Sequence, residues 1–169
     1  MKISDRLGHL TYSTLVHPGD TWSEMRESVA AHVPAVKRRV SPGAPMGVSL
    51  RLSGASVTAL RADPAERAGF LGFLRQEGLY VYTVNAFPHG SFKGRSHFHV
   101  PVFLDEIGGF RTTRSNIEAA LDLHRRTPLS DHLEIETYTW DVLPEHLKTG
   151  DVDDYVSREI EWVRDALGD

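Results

Sequence analysis

The stretch that organises the chain is His132-Leu133-Glu134-Ile135-Glu136-Thr137-Tyr138-Thr139-Trp140. Apolar and β-branched residues alternate in it with glutamate and aromatic residues, and this period of two is typical of a β-strand. Because alternate residues of a strand project to the same side, Glu134 and Glu136 share one face. Two unpaired carboxylates on an enclosed face would each cost several kcal/mol, so the stretch predicts a cation, a proton or a positively charged side chain beside them. The alternative is an exposed face on which both glutamates are solvated.

The composition is that of an ordinary globular protein. The chain has 169 residues, of which 40% are hydrophobic and 25% charged, enough for one domain with a core. A net charge of −4 and a single short basic run, Lys37-Arg38-Arg39, argue against a nucleic-acid or membrane-surface binder. The absence of cysteine excludes disulfides and thiolate metal sites. With no apolar leader and no membrane-length apolar window, we expect a cytoplasmic protein without a membrane segment.

Strand and helix patterns alternate along the chain. Strands are predicted at residues 10–15, 47–53, 79–87, 96–103 and 132–140. The strand at 79–87 is predicted to be apolar on both faces, as in a parallel strand covered by helices. The first predicted helix follows Asp20 and carries an apolar stripe of Trp22, Met25, Val29, Val33, Val36 and Val40. The second begins at Asp63-Pro64-Ala65-Glu66, with Arg67, Phe70, Leu71 and Leu74 on its stripe. The third begins at Ser115, with Ile117, Ala120 and Leu121 inward, and the fourth at Asp151. Residues 54–62 are interpreted as a linker.

This alternation predicts an α/β fold with a mostly parallel sheet, either doubly wound or a barrel. Carboxylates and imidazoles near several strand ends favour the barrel, whose chemistry lies at the carboxyl ends of its strands. Five strands are too few for a complete barrel, which has eight strands and typically about 250 residues. In addition, only a short loop separates 79–87 from 96–103, whereas parallel neighbours need a crossover of roughly a dozen residues or more. A crossover helix is therefore missing at this point.

Several long blocks resemble the EboE metabolite traffic proteins, which are xylose isomerase-like TIM barrels. The blocks are residues 7–19, 47–53, 79–90, 97–104 and 132–144. The resemblance implies one partial TIM-barrel domain over 1–169, in which 1–94 resembles barrel strands one to three and 95–169 resembles strands seven and eight. The expected fold is thus an incomplete (β/α) barrel of five parallel strands and four flanking helices, such as an open half-barrel. The middle strands of the family are absent.

The resemblance also implies where a divalent metal would bind. In such barrels the last strand supplies a glutamate ligand, whose counterpart here is Glu136 with Glu134 beside it, and these two are the candidate catalytic residues. The Asp-x-x-His set of the family does not occur in this chain. His97 and His99 share a strand face and could complete a zinc or manganese site with Glu136, or they could form structural hydrogen bonds across the sheet. Because ligand-bearing strands are missing, we expect divalent metal binding to be weak or absent.

Five other residues are candidates for contact with a substrate. His9, Asn85 and His89 lie at strand starts or ends, where a ligand in a barrel mouth would be within reach. Trp140 closes the opening stretch, with core packing as its alternative role. Arg51 lies between Leu50 and Leu52 and requires a carboxylate, which Glu134 or Glu136 would supply as a structural ion pair.

Two functions of different classes remain open. The resemblance implies a small-metabolite binding or traffic protein, which we favour because ligand-bearing strands are missing. The alternative is a metal-dependent sugar or sugar-phosphate isomerase or epimerase, in which a carboxylate moves a proton beside a polarised carbonyl. A shortened product without a function of its own is a third possibility. The expected partner is a small molecule, and the edges of a cut-open sheet invite a homodimer.

Overall fold

A computed structural model describes residues 1–14, 21–86, 100–136, 140 and 143–168, without the side chains of residues 85 and 86. The strands in this part of the chain are β1 (Lys2–Ser4), β2 (Gly8–Tyr12), β3 (Met46–Leu52), β4 (Leu79–Ala86), β5 (Glu106–Ile107), β6 (Phe110–Arg111) and β7 (His132–Ile135). The helices are α1 (Trp22–Val40), α2 (Gly54–Ala62), α3 (Pro64–Gln76), α4 (Arg114–Arg126) and α5 (Val152–Leu167). A short 3₁₀ helix covers Glu145–Leu147. The predicted α/β class is confirmed.

The central strands pair in parallel. β2 pairs with β7, β3 pairs with β4, and an isolated parallel bridge between Ser13 and Ser49 connects the two pairs. The resulting order is β7, β2, β3, β4. β1 runs antiparallel to the start of β2, and β5 and β6 form a separate hairpin; neither was predicted. The strands that the structure describes do not close into a barrel.

The core lies between the strands and the helices α1 and α5. Every member of the predicted stripe on α1 is buried, and on α5 Val156, Ile160, Val163 and Leu167 are buried. Outward-facing strand residues such as Leu10, Tyr12, Val48 and Leu50 pack against them. The hydrophobic period of α1 therefore identified part of this core, whereas Arg67 and Leu71 of the stripe predicted for the second helix are exposed.

The predicted start of the helix at Asp63 is confirmed. The Asp63 side chain accepts hydrogen bonds from the backbone N–H groups of Ala65 and Glu66, and Pro64 occupies the first helical turn. Such a cap satisfies donors that have no partner within the helix. On α1 the cap is Thr21, which forms a capping box with Glu24; the predicted cap, Asp20, lies outside the described residues.

Residues 54–62 are a helix, so their interpretation as a linker was wrong. Ser53 follows β3 directly and caps α2 by accepting a hydrogen bond from the Ser56 backbone N–H. The segment is rich in small residues, so it has no clear apolar stripe from which a helix could be predicted. The helix is stabilised by its N-cap and by its packing. The described part of the chain therefore has five α-helices where four were predicted.

Three smaller predictions also need correction. Residues 100–103 form no strand, while 96–99 lie outside the described residues. α4 starts at Arg114 without a side-chain cap, and Ala120 is exposed rather than inward. β4 is not apolar on both faces, because its tyrosines meet polar groups and Val84 is 55% exposed. No described helix has both the length and the apolar content needed to cross a membrane.

Candidate functional site

Polar and aromatic side chains from three strands meet on the inner face of the sheet, away from the core. The Nδ1 atom of His9 on β2 lies 2.7 Å from the hydroxyl oxygen of Tyr80 on β4. The ring of Tyr82 on β4 lies 4.8 Å from the ring of His9 and 4.3 Å from that of His132 on β7, measured between centroids. The Nε2 atom of His132 is hydrogen-bonded to the hydroxyl group of Thr11 on β2. We refer to His9, Thr11, Tyr80, Tyr82 and His132 as the inner cluster.

These contacts require a strongly curved sheet. The strand order is β7, β2, β3, β4, so the two outer strands, β7 and β4, are three positions apart. Nevertheless, Tyr82 on β4 and His132 on β7 are in contact. A flat sheet would separate them by roughly 14 Å, since neighbouring strands lie about 4.8 Å apart. Curvature therefore brings side chains of the two outer strands into contact on the inner face.

A bulge in β4 increases the number of side chains that reach this face. Gly47 is registered with Tyr80 and Ser49 with Thr83, so Val81 and Tyr82 together face the single residue Val48. Such an extra residue bends the strand and redirects side chains. Tyr82 and Thr83 are both half-buried beside the inner cluster as a result.

Gly47 on β3 provides the space in which Tyr80 crosses to His9. A Cβ atom at Gly47 would lie 2.8 Å from Cε2 of Tyr80 and 3.1 Å from Cγ2 of Thr11. We expect Gly47→Ala to reduce the free energy of unfolding by about 1 kcal/mol, at the lower end of the cost of overpacking because the tyrosine ring can shift. Urea denaturation would measure this loss. The control is Gly69→Ala in α3, where no atom lies within 4 Å and a gain of about 0.5–1 kcal/mol is expected.

Burial favours the neutral form of both histidines in the inner cluster. Desolvation lowers the pKa of His9 below its ordinary value. Desolvation also lowers the pKa of His132. The negative charge of Glu134 partly offsets this decrease in pKa, whereas His9 adds to it. Both imidazoles are therefore hydrogen-bonding groups rather than cations near neutral pH.

Folding is expected to weaken when the pH falls below about 6.5, the ordinary pKa of histidine. In the window below that value the unfolded chain binds more protons at His9 and His132 than the folded chain does, so acidification favours unfolding. Urea midpoints at pH 7.5 and pH 5.5 would measure the effect. The double variant His9→Gln/His132→Gln should lose less stability between these values than the wild type. Equal losses would contradict the assignment.

The predicted ion pair between Arg51 and Glu136 is present. The Nη2 atom of Arg51 contacts the Oε1 atom of Glu136, and the Nε atom of Arg51 donates a hydrogen bond to the hydroxyl oxygen of Ser13 at 3.1 Å. The Arg51 side chain is 12% exposed and that of Glu136 is 37% exposed. The positively charged side chain that was predicted beside Glu134 and Glu136 is therefore Arg51, and it pairs with Glu136.

Glu134 differs from Glu136. It is registered beside Thr11 on β2, and its Oε1 atom is buried without a hydrogen-bond partner among the described residues. The hydroxyl oxygen of Thr83 on β4 is likewise buried and unsatisfied within the described part of the chain. Since buried polar atoms are nearly always hydrogen-bonded, two such atoms on one face are unusual.

Most described candidates come together on the inner face. His9, Arg51, Glu134 and Glu136 lie there, whereas Trp140 packs against Tyr155 of α5 with ring centroids 5.5 Å apart. Asn85 is registered opposite Arg51, but its side chain lies outside the described part of the chain, as do His89, His97 and His99.

Sequence reasoning missed Thr11, Tyr80, Tyr82 and His132. Alternation placed Tyr80 and Tyr82 on one side of their strand, but the predicted two-sided apolar strand obscured this signal.

A divalent metal does not fit the described part of this face. No group of three or more His, Asp or Glu side chains converges there in a way that could hold an ion. Glu136, the expected ligand, already contacts the guanidinium group of Arg51, whose positive charge opposes a dication. The two predicted histidine ligands lie outside the described residues.

A separate cavity of about 670 Å³ opens at the other end of β4 and is bordered by Tyr80. Its lysine and arginine side chains are already engaged: Lys2 pairs with Asp5, Arg39 pairs with Asp151 and Asp154, and Arg164 donates a hydrogen bond to the backbone carbonyl oxygen of Val40. The inner cluster is therefore the strongest candidate site in the described part of the chain.

Comparisons of the sequence and the structure with protein-family models, curated proteins and solved structures found no match.

Proposed function

We propose that this protein binds a small polar metabolite on the inner face of an incomplete (β/α) barrel, in the manner of an EboE-type traffic protein. The observation that carries the proposal is the convergence of His9, Tyr82 and His132 from three different strands. Polar and aromatic groups held on rigid strands are suited to orient a ligand without large rearrangement.

The strand arrangement supports the partial-barrel scaffold. On the proposed scaffold β7, β2, β3 and β4 would correspond to barrel strands eight, one, two and three. The parallel pairings of β2 with β7 and of β3 with β4 agree with this assignment. Curvature brings the two outer strands into contact through their side chains, as in a barrel wall. Helices follow β2, β3 and β7, which agrees with repeated β-then-α units.

The alternative, a sugar or sugar-phosphate isomerase or epimerase, is favoured by one observation. The Oε1 atom of Glu134 is buried and unsatisfied among the described residues, and a carboxylate oxygen without a donor can act as a general base. We rank this activity second because Glu136, the other candidate catalytic residue, is neutralised by Arg51.

The proposal can be tested by a ligand screen with a site-specific readout. The protein would be melted with neutral polyols, sugar phosphates, organic acids and amines, while NMR follows the ring resonances of His9 and His132. We expect one class to raise the melting temperature and to shift both rings. Ligand at about 100 times its Kd would stabilise folding by about 2.7 kcal/mol.

Tyr82→Ala should abolish the response, since it removes the ring between the two histidines. The matched control is Phe110→Ala, which removes an aromatic ring that is 77% exposed and distant in sequence from the inner face. A response that survives in Tyr82→Ala, or a screen without any response, would overturn the proposal. Ligand-dependent exchange of a carbon-bound proton, lost in Glu134→Gln, would instead establish the isomerase.

A further inference from the structure

We infer that the ligand of the inner face is an organic cation with N–H donors, such as a primary ammonium compound, and that Glu134 is its anchor. The inference rests on the proposed function and adds the chemical class of the metabolite. It starts from the two glutamates of the inner face, of which only Glu136 forms an ion pair with a described residue.

The first step is the contrast between the two glutamates. Glu136 contacts Arg51, so its charge is neutralised by a guanidinium group. Glu134 forms no ion pair with any described residue, and its Oε1 atom is shielded from solvent without a donor. A carboxylate in this position is strongly stabilised by a positive partner that also donates a hydrogen bond.

The second step is that the groups around Glu134 do not supply that charge. Thr11 is its registered neighbour on β2 and is neutral. His132, two residues earlier on the same strand face, is hydrogen-bonded to Thr11, and burial favours its neutral form. These described neighbours of Glu134 thus provide hydrogen-bonding groups, and the guanidinium group of Arg51 on the same face is engaged by Glu136 and Ser13.

The third step concerns the walls of the site. The rings of Tyr82, His9 and His132 lie against one another on the same face, with the Tyr82 centroid 4.8 Å from that of His9 and 4.3 Å from that of His132. Aromatic faces attract ammonium groups through the negative potential above the ring, most strongly when water is excluded. An anionic ligand would be repelled by Glu134, and a neutral polyol would leave its charge uncompensated.

The fourth step is a second anchor. The hydroxyl group of Thr83 lies beside Tyr82 in the bulged part of β4 and is buried without a hydrogen-bond partner among the described residues. It can accept from an N–H group or donate to a hydroxyl oxygen of the same ligand. A ligand that carries both an ammonium and a hydroxyl group has a suitable hydrogen-bonding group for each of these two atoms.

The experiment compares three probes of nearly equal size, which are ethanolamine, ethylene glycol and glycolate. Titration at millimolar concentrations would be followed through the His9 and His132 ring resonances at pH 7.5. We expect ethanolamine to bind at least tenfold more tightly than ethylene glycol, and glycolate to cause no change. Equal affinity for the diol, or a preference for glycolate, would overturn the inference.

Two variants localise the charge. Glu134→Gln keeps the shape of the side chain and should weaken ethanolamine binding at least tenfold, while raising the melting temperature of the ligand-free protein because an uncompensated charge is removed. Glu161→Gln changes an exposed glutamate of α5 and should alter neither quantity. Unchanged ethanolamine affinity in Glu134→Gln would overturn the inference.

Manganese and zinc chlorides provide the last comparison. If either ion shifts the same resonances at lower concentration than ethanolamine and this depends on Glu134, the site is a metal site and the inference is wrong. If only polyols or sugar phosphates from the wider screen bind, and do so through Tyr82, the inference fails while the proposed function stands. If no probe binds at all, both fail.

Discussion

Gly8→Ala is expected to destabilise the protein by about 3–4 kcal/mol, the largest effect of any substitution considered. Gly8 has a φ of +75°, a left-handed conformation that costs other residues about 1–2 kcal/mol. In addition, a Cβ atom there would lie 2.2 Å from the carbonyl oxygen of Asp131. This overlap adds about 2 kcal/mol, because backbone must move to relieve it. Urea denaturation would measure the total.

The overlapped carbonyl group is not free to move. It accepts a hydrogen bond of 2.9 Å from the backbone N–H of His9, which fixes the start of β7 beside β2. Gly8→Ala should therefore also disturb His132, the next residue after Asp131, and so the inner cluster.

Gly43→Ala is the matched control for this prediction. Gly43 has the same φ of +75°, but no atom lies within 4 Å of the position of a Cβ atom. Its substitution should cost only the backbone contribution of about 1–2 kcal/mol. Equal losses in the two variants would show that the contact with Asp131 carries no energy.

Arg51→Met should cost about 2 kcal/mol, the second largest effect. The substitution removes the contact with Glu136 and the hydrogen bond to Ser13 and leaves the glutamate charge without its guanidinium partner. Breaking a fully buried pair costs about 3–5 kcal/mol, but Glu136 is 37% exposed and water partly replaces the lost partner, so the value is discounted.

A double-mutant cycle isolates the pair. Urea unfolding of Arg51→Met, Glu136→Gln and the combined variant should give a coupling energy of about 1 kcal/mol. The same cycle on Lys148 and Glu145, a pair whose glutamate side chain is 86% exposed, should give a value near zero. No coupling between Arg51 and Glu136 would mean that both are independently solvated.

Local patterns in the sequence predicted α1, α3, α4 and α5 and the sidedness of β7, but not α2. The stripe on α1, the cap at Asp63 and the shared face of Glu134 and Glu136 depend on residues a few positions apart. Periods of 3.6 and 2 report such short-range geometry directly. The pairing of Arg51 with Glu136 could also be predicted, because a charged residue on a covered strand requires a partner.

Only the tertiary structure decided how the inner face is used. In sequence the two glutamates are equivalent, yet Arg51 reaches Glu136, while Glu134 has a buried oxygen without a partner among the described residues. The contact of Tyr82 with His132 joins residues 50 positions apart and depends on the bulge in β4 and on sheet curvature. Curvature and register are properties of the assembled strands rather than of any one segment, so no local pattern contains them.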